Sequence, residues 1–406
     1  MRAIIITALL ALIGTQDVRA EPIVPAAVRQ TFTRTKLGGA WVQGLADRGT
    51  ARPVTADDPV RVASISKLVV ALGVMRLLER GALDLDRDVS DYLGYKLRNP
   101  DFPDARISLR LLLSHSSSVQ DGIDYVAPFD QTTQAALADP KAWDSAHAPG
   151  SYFRYANLNF PIIAAIMERV TGERFDRLMA RLVLKPLRLD ACYNWVTCSD
   201  AAVARGVVLY RATGEVAADD NHGRQPVCPI KPSTDGSCDL RRWQPGLNGA
   251  SFSPQGGLRI SMRDLAKIGQ MLLNDGRAQD RRFLTKASID LMFTPRWTFD
   301  GENGVTGETT PGSICRYGLA TKTLVTRQDG CHDDLFGDGI ERVGHAGDAY
   351  GLKSGLWIDR AAGTGVAYFV TAVAVDTPLA SGASFAVPDV EVARGLNPPR
   401  TGEGDR

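Results

Sequence analysis

Several patterns that mark common protein classes are missing from this 406-residue sequence. It has no G-x-S-x-G segment, so the α/β-hydrolase arrangement lacks its nucleophile turn. It has no H-E-x-x-H segment and no C-x-x-C pair, and four aspartates between positions 84 and 91 lack the central glycine and terminal glutamate of a calcium loop. We therefore predict no metal ion and no other cofactor.

An excess of charge of one sign is also missing. The chain has 47 lysines and arginines against 46 aspartates and glutamates, which gives a formal net charge of +1. A nucleic-acid-binding domain needs a basic surplus or a basic stripe, and a polybasic membrane-surface protein needs the same. The balance predicts no nucleic-acid partner, while 44% hydrophobic residues are enough for a sizeable core.

Hydrophobic runs long enough to span a membrane are missing, and the first twenty residues hold a shorter one. Arg2 gives a positive start, residues 3–13 are apolar apart from Thr7, and the segment ends in small residues at Val18-Arg19-Ala20. This run is too short to span a bilayer. We predict a signal peptide at 1–20, a periplasmic or secreted protein, and no stable membrane insertion after cleavage. An uncleaved anchor is the alternative.

The cysteines are few but even in number, which agrees with export. Fifteen pairings of six cysteines are formally possible. Neighbours in sequence suggest three local disulfides, each closing one loop, with a metal site as the rejected alternative. The predicted pairs are Cys192 with Cys198, Cys228 with Cys238, and Cys315 with Cys331.

Hydrophobic patterning predicts strands toward both ends of the chain, at 38–44, 352–357 and 366–375. Strands at the two ends that pair would form one sheet with a helical region inserted between them. The predicted class is therefore α+β, an antiparallel sheet flanked by helices. The predicted organisation is one domain over 21–395, with its sheet part at about 21–80 and 255–390, a helical and loop part at about 81–254, and a tail at 396–406.

The middle of the chain has the periodicity of helices. A helix within 61–80 is apolar on nearly all sides and ends before Gly81, as a buried helix would. Ser64 and Lys67 lie at its beginning. Further helices are predicted at 108–113, 160–170, 175–184 and 261–273, and long surface loops at 205–255.

Ser64 and Lys67 are the strongest candidates for catalysis. Because they stand three residues apart at a helix start, their side chains share one face. A serine hydroxyl becomes a good nucleophile when a neighbouring base takes its proton, and a lysine serves as that base when burial lowers its pKa. The competing hypothesis is a helix-capping serine beside a solvated lysine.

Two further segments carry polar side chains suited to such a site. In Tyr155-Ala156-Asn157, the tyrosine can pass a proton to a leaving group and the asparagine can donate a hydrogen bond to a substrate carbonyl. In His345-Ala346-Gly347, small residues would let a substrate backbone lie along a strand edge. The alternatives are a core tyrosine, a capping asparagine and a turn histidine.

Together these segments resemble the serine β-lactamase and penicillin-binding protein superfamily, in its class C-like branch. That branch includes class C β-lactamases, D,D-carboxypeptidases, D-aminopeptidases and esterases. The resemblance covers about residues 35 to 375. It rests on Val62-Ala63-Ser64-Ile65-Ser66-Lys67, Leu111-Leu112-Leu113-Ser114-His115, Pro149-Gly150 with Tyr155-Ala156-Asn157, and Gly256-Gly257-Leu258 followed by Ser261 and Asp264-Leu265-Ala266.

The resemblance implies a β-lactamase/transpeptidase-like fold and an acyl-enzyme route. Ser64 would attack a carbonyl carbon, and Lys67 and Tyr155 would move protons. The backbone N–H groups of Ser64 and Asp348 would form the oxyanion hole. The implied substrate-binding residues are Asn157, His345, Gly347 and Asp348.

Departures from the family pattern shape the expected substrate. His345 stands where class C β-lactamases have a lysine, Ser118 where a glycine is usual, and Tyr350 where a proline is usual. A histidine is mostly neutral at pH 7 and cannot replace a permanent cation. We therefore expect an exported serine hydrolase that acts on small amides, D-amino-acid peptides or esters. The alternatives are a class C-like β-lactamase and a non-catalytic sensor of penicillins or cell-wall peptides, and oligomeric state stays open.

Overall fold

Strands from both ends of the chain form one eight-stranded antiparallel sheet, as the sequence predicts. The computed structural model describes residues 24–396. The order of strands in this sheet is β12-β13-β14-β15-β16-β17-β1-β2. Within these residues the strands are β1 (Ala27–Thr33), β2 (Leu37–Gln43), β3 (Leu45–Asp47), β4 (Arg52–Pro53), β5 (Val60–Arg61), β6 (Cys192–Tyr193), β7 (Leu209–Tyr210), β8 (Val216–Ala218), β9 (Leu258–Ile260), β10 (Arg277–Ala278), β11 (Arg281–Arg282), β12 (Trp297–Thr298), β13 (Arg316–Tyr317), β14 (Lys322–Leu324), β15 (Arg342–Ala349), β16 (Leu352–Asp359) and β17 (Thr364–Val370).

Helices cover the sheet and fill the middle of the chain. Most are short, and α6 continues into a π-helical turn at Ala180–Leu184. The helices are α1 (Ile65–Leu78), α2 (Ser90–Leu93), α3 (Leu109–Leu113), α4 (Thr133–Ala136), α5 (Asn159–Thr171), α6 (Phe175–Met179), α7 (Asp200–Ala204), α8 (Met262–Leu273), α9 (Lys286–Phe293) and α10 (Val387–Arg394). The fold is therefore α+β, as predicted.

Helix α1 lies at the centre of the molecule. Twelve of its 14 residues are buried, which explains why its sequence is apolar on nearly all sides. It packs against β15 and β16 of the main sheet. This contact brings α1, at whose start Ser64 and Lys67 lie, against two central strands of the sheet.

Helix ends follow the polar and glycine signals of the sequence. The Ser108 side chain accepts a hydrogen bond from the Leu111 N–H at the start of α3. Ser261 accepts one from the Asp264 N–H at the start of α8. Helix α5 ends at Gly172, whose φ of +66° favours a residue without a Cβ. These ends agree with the helices predicted at 108–113, 160–170 and 261–273.

The structure differs from the sequence-based expectation in three places. Strand β1 was not predicted because its apolar and polar residues alternate imperfectly beside the glycine-rich β2. The last predicted strand ends at Val370, five residues early. The segment 205–255 contains mostly loops, but Asn248, Ser251 and Gln255 are buried, so its final part is not a surface loop.

Three disulfides join the cysteines in the predicted local pairs, 192 with 198, 228 with 238, and 315 with 331. Within residues 24–396, no helix has the length and apolar character needed to cross a membrane. The predicted signal peptide at 1–20 and the predicted tail from position 397 onward lie outside the described residues.

Candidate active site

Ser64 stands immediately before the first residue of α1, and its side chain does not cap the helix. The preceding residue, Ala63, has a φ of +45°, an unusual value for a residue with a Cβ. The Lys67 Nζ lies 2.9 Å from the Ser64 Oγ. The alternative of a capping serine beside a solvated lysine is therefore wrong.

Lys67 is fully buried, and its three hydrogen-bond partners suit a neutral amine. The Nζ lies 2.7 Å from the Asn157 Oδ1 and 3.0 Å from the Gln255 carbonyl oxygen, and these two atoms can only accept. A neutral amine donates its two hydrogens to them and keeps its lone pair for the Ser64 hydroxyl. The side chain is thus arranged to receive the serine proton.

The electrostatic surroundings of Lys67 favour that neutral form. Burial lowers the pKa of Lys67 to about 7, against the opposing attraction of the Glu308 and Asp121 carboxylates. The nearby Lys322 ammonium lowers this pKa further. Desolvation penalises a buried cation, so it is the dominant cause. Lys67 can therefore act as a base near neutral pH.

Tyr155 lies beside this pair. Its ring stacks on His115 with centroids 4.3 Å apart, and the Lys67 Nζ is 4.9 Å from its ring centroid. Burial raises the pKa of Tyr155 well above its usual value, and a weak interaction with the Ser64 hydroxyl opposes this rise. The Tyr155 hydroxyl makes no hydrogen bond of normal geometry within residues 24–396. The hydroxyl is therefore protonated, and its hydrogen is not engaged in such a bond.

His115 holds Tyr155 in place. Its backbone has a φ of +54°, and its Nδ1 accepts a hydrogen bond from the Ala156 N–H at 3.1 Å. Because Nδ1 accepts, the proton of the neutral ring is on Nε2. Burial and the Lys67 charge keep the pKa of His115 well below its usual range. His115 lies in the predicted L-L-S-H segment, but its role was not predicted.

Asn157 links the base to the start of α5. Its Oδ1 accepts from Lys67, and its Nδ2 donates to Asp121 at 2.9 Å and to Glu308 at 2.8 Å. The Asp121 carboxylate also accepts from the backbone N–H groups of Asn157 and Leu158. The structure therefore places Asn157 as an orienting partner of Lys67, with its amide hydrogens already bonded within the protein.

His345 is near the site but faces the interior. Its Nδ1 lies 2.6 Å from the Ala346 carbonyl oxygen, and its Nε2 lies 3.0 Å from the Tyr317 hydroxyl. Since a carbonyl can only accept, Nδ1 carries the proton and the Tyr317 hydroxyl donates to Nε2. Burial, with Lys322 and Lys67 adding to it, keeps the pKa of His345 well below its usual range. The ring is neutral and internally satisfied.

Gly347 allows β15 to approach the nucleophile. A Cβ at this position would lie 2.3 Å from the Val62 carbonyl oxygen and 2.4 Å from the Ser354 Oγ. The Asp348 end of the strand therefore lies against the turn that carries Ser64. No acceptor for the Ser64 amide is found in the described part of the chain, so this N–H is free for a substrate oxygen.

The edge of β15 beyond Gly344 is open. Strand β14 pairs with β15 only from Arg342 to Gly344, and β16 pairs with the opposite edge from Val343 to Ala349. Among residues 24–396, no strand pairs with the β14-side edge of 345–349. An extended substrate could add its backbone there.

Three charged residues of the site were missed by the sequence analysis: Asp121, Glu308 and Lys322. The Lys322 Nζ lies 5.7 Å from the centroid of the Tyr155 ring. None of the three belongs to a short motif, and each is brought to the site by tertiary structure. No signal in the single sequence would have identified them.

Two of the noted departures occupy left-handed backbone positions. Ser118 has a φ of +62°, which explains why a glycine suits this position, and its Oγ accepts a hydrogen bond from Asn99 at 3.1 Å. Tyr350 has a φ of +57° at the β15–β16 turn, and the Arg61 guanidinium lies 5.2 Å from its ring centroid. Tyr350 is 42% exposed.

Comparison with known proteins agrees with this geometry. The chain is 32% identical to Esterase EstB of Burkholderia gladioli over 169 residues, which are 37% of this chain and 42% of the esterase. It is 26% identical to Penicillin-binding protein 4 of Amycolatopsis lactamdurans over 277 residues, 68% of this chain and 66% of that protein. The chain thus spans less than half of the esterase and about two thirds of the penicillin-binding protein.

Solved structures share the fold. The D-amino acid amidase from Ochrobactrum anthropi SV3 superposes with a TM-score of 0.61 at 20% identity, covering 87% of this chain and 89% of that one. The octameric penicillin-binding protein homologue from Pyrococcus abyssi gives a TM-score of 0.61 at 21% identity, covering 91% and 72%. The family model described as Beta-lactamase matches residues 26–385. This chain therefore belongs to the β-lactamase family of serine hydrolases.

Proposed function

We propose that this protein is an exported serine hydrolase that works through an acyl-enzyme on Ser64. Its proposed substrates are small amides, D-amino-acid peptides or esters. The observation that carries the proposal is the buried Lys67 amine, whose Nζ lies 2.9 Å from the Ser64 Oγ. A base with a pKa of about 7 can take a proton and return it within one catalytic cycle near neutral pH.

Acylation begins with proton transfer from the Ser64 Oγ to the Lys67 Nζ. As the O–H bond breaks, the Oγ forms a bond to the substrate carbonyl carbon, and the carbonyl oxygen becomes an oxyanion. The free Ser64 N–H and the Asp348 N–H are the proposed donors to that oxyanion. Donors fixed in advance stabilise the developing charge without reorganisation.

Collapse of the tetrahedral intermediate expels the leaving group. Tyr155 gives its hydroxyl proton to the leaving nitrogen or oxygen, and the Lys67 ammonium replaces that proton. The net change is one proton moved from Ser64 to the leaving group. Water then attacks the acyl-enzyme, with Lys67 as the base, and Ser64 regains its proton as the acid is released.

The substrate range is proposed from the open strand edge and from the relatives. Gly347 and the unpaired β14-side edge at 345–349 suit an extended acyl or peptide group. The relatives include an esterase, and the fold neighbours include D-amino acid amidases. His345 is neutral and buried, which argues against strong hydrolysis of β-lactams through the usual cation at this position.

Export is part of the proposal. Three disulfides join all six cysteines, and disulfides persist in oxidising compartments outside the cytosol. We therefore propose a periplasmic or secreted location for the mature chain.

Intact-mass measurement with an activated ester and with a penicillin tests the proposed function. We expect a Ser64-dependent acyl adduct with the ester that forms and then clears. Ser64→Ala should abolish it and lower kcat/KM by about 10⁴-fold or more. Ser66→Ala is the matched control, because the Ser66 Oγ only accepts a buried backbone N–H from Leu258 at 3.0 Å.

Each result separates the candidate functions. A penicillin adduct that clears quickly would favour the β-lactamase alternative. Adducts that persist with every substrate would favour the sensor. Ester hydrolysis that survives Ser64→Ala would overturn the assignment of the nucleophile.

A further inference from the structure

Lys322 is a cation of the active site that the proposed mechanism does not use. It is the first residue of β14, it is partly buried, and its Nζ lies 5.7 Å from the centroid of the Tyr155 ring. Within residues 24–396 its ammonium has no hydrogen bond, and no carboxylate lies within ion-pair distance. Burying a cation without a partner is costly, so a retained ammonium at this place needs a reason.

The other cations around the nucleophile are already engaged. Lys67 is the base, and Lys353 forms an ion pair with Asp348. Arg61 lies 3.6 Å from Asp219 and donates to the Gly256 carbonyl oxygen. Among the described residues near Ser64, Lys322 is the ammonium left to meet a ligand.

Its position on the sheet directs it to the part of the cleft where a leaving group would lie. Lys322 pairs with Tyr317 on the β13 side and with Gly344, the residue before His345, on the β15 side, so its stem meets no opposing side chain only toward β15. Tyr155, the proposed proton donor to the leaving group, is its aromatic neighbour. A negative group attached to the leaving group would therefore come within reach of the Lys322 ammonium.

The protein itself places a carboxylate in this region. Glu308 is exposed on the loop before β13 and accepts a hydrogen bond from the Asn157 Nδ2 at 2.8 Å. Of the charges that stabilise the Lys322 ammonium, the Glu308 carboxylate is the strongest. The site therefore accommodates an anion beside Asn157 that also stabilises the Lys322 ammonium, at a group that a substrate could displace.

We propose that Lys322 binds a carboxylate on the leaving group of the substrate, and that it supplies from β14 the positive charge that His345 cannot supply from β15. This inference rests on the proposed function and specifies its substrate class: esters or amides whose leaving group carries a carboxylate, such as the carboxyl-terminal residue of a short peptide. Lys322 is then a specificity-determining residue. No proton passes through it.

Its test uses two esters that differ only in charge, 3-acetoxybenzoate and 3-acetoxybenzamide. Both transfer the same acetyl group. We expect Lys322→Met to lower kcat/KM for the benzoate by about 10- to 100-fold relative to the benzamide. Lys322→Arg should keep most of the preference, and Glu308→Gln should increase it. Lys36→Met should leave the ratio unchanged. Lys36 is exposed and lies in the turn between β1 and β2, the two strands at the opposite end of the sheet from β12 and β13.

The ratio separates recognition from catalysis. Any effect of Lys322→Met on the Lys67 base changes both reactions alike and cancels in the ratio. An unchanged ratio would overturn the role of Lys322 while leaving the serine hydrolase proposal intact. Failure of the natural protein to hydrolyse either ester would count against the proposed function instead.

Binding without turnover tests the proposed contact between Lys322 and the substrate carboxylate independently. In saturation-transfer NMR, 3-acetoxybenzoate should give a binding signal with the Ser64→Ala protein. The double variant Ser64→Ala, Lys322→Met should give no such signal. 3-Acetoxybenzamide should bind more weakly than the benzoate to Ser64→Ala. Equal binding of the two compounds, or benzoate binding that survives loss of Lys322, would overturn the inference even if Lys322→Met lowers activity.

Discussion

The two walls of the cleft are built in different ways. The catalytic wall consists of the start of α1 and the start of α5, where Ser64, Lys67 and Asn157 form a continuous hydrogen-bonded set. The recognition wall consists of β14 and the open edge of β15, where His345 is satisfied internally and Lys322 has no bonded partner. The hydrogen bonds around the base form without a substrate, whereas the Lys322 ammonium has no hydrogen-bond partner in the described part of the chain.

This difference reflects what each wall does. A base must hold its lone pair toward the nucleophile throughout the cycle, so its partners are fixed and buried. A charged recognition residue is partly desolvated in the free protein, which costs free energy. Its contact with the bound ligand offsets that cost. Changes in the catalytic wall should therefore affect every substrate, and changes in the recognition wall should affect selected substrates or stability.

The largest effect is expected from removing the base. Lys67→Met should lower kcat/KM by about 10³-fold with charged and neutral esters alike, because general-base catalysis is lost whatever the substrate. Lys67→Arg should cause a similar loss, since a guanidinium keeps its proton and cannot act as a base. Steady-state kinetics with 3-acetoxybenzoate and 3-acetoxybenzamide provide the measurement.

Lys267→Met is the matched control for this prediction. Lys267 lies on α8 and pairs with Asp264 at the surface, so its loss should leave both rates unchanged. If Lys67→Arg retained most of the activity, Lys67 would be an electrostatic residue and the base would have to be sought elsewhere, with Tyr155 as the first candidate.

An intermediate effect is expected from restoring the usual family residue on the recognition wall. His345→Lys would place an ammonium in a fully buried position beside Tyr317 and near the Lys322 and Lys67 amines. We expect a loss of about 3 kcal/mol in the free energy of unfolding, because the new charge has no carboxylate partner there. Urea denaturation measures this loss.

A neutral replacement gives the comparison. The amide of His345→Gln can donate to the Ala346 carbonyl oxygen and accept from the Tyr317 hydroxyl, so its cost should stay below about 1 kcal/mol. A His345→Lys protein that is as stable as the natural one and hydrolyses penicillin faster would contradict both the expected loss of stability and the proposed role of Lys322. It would show that the β15 position still receives the substrate charge and that Lys322 does not take its place.

The catalytic wall could be predicted from the sequence because its key residues are close along the chain. The spacing of Ser64 and Lys67 puts them on one helical face, and the apolar residues around them predict the burial that lowers the Lys67 pKa. The three disulfides and most helix ends followed from equally local signals. The sheet formed by both termini followed from hydrophobic patterning at the two ends.

The recognition wall could not be predicted in the same way. Lys322 begins a three-residue strand outside any motif, and Glu308 lies on a loop with no patterning at all. His345 was expected to contact substrate, yet its surroundings depend on the distant Tyr317 side chain. Asn157 was expected to donate to a substrate, but Asp121 and Glu308 already occupy its amide. Such contacts arise only when the chain is folded.

The smallest effect concerns the electrostatic link between the two walls. With the neutral 3-acetoxybenzamide, kcat/KM should rise with pH through a midpoint at about 7, because the reactive Lys67 is the unprotonated amine. Glu308 and Asp121 raise the pKa of Lys67, and Lys322 lowers it. Lys322→Met should therefore move the midpoint to higher pH, and Glu308→Gln should move it to lower pH.

Opposite movements in these two variants are the decisive feature of the pH profiles. Rates measured with Ser64→Ala are subtracted to remove spontaneous hydrolysis, and Lys36→Met should keep the natural midpoint. Two profiles that coincide with the natural one would mean that the walls are electrostatically independent. A midpoint that moves in opposite directions would mean that the charge which selects the substrate also sets the pH at which the nucleophile is activated, so that selectivity and pH dependence cannot be changed separately at Lys322.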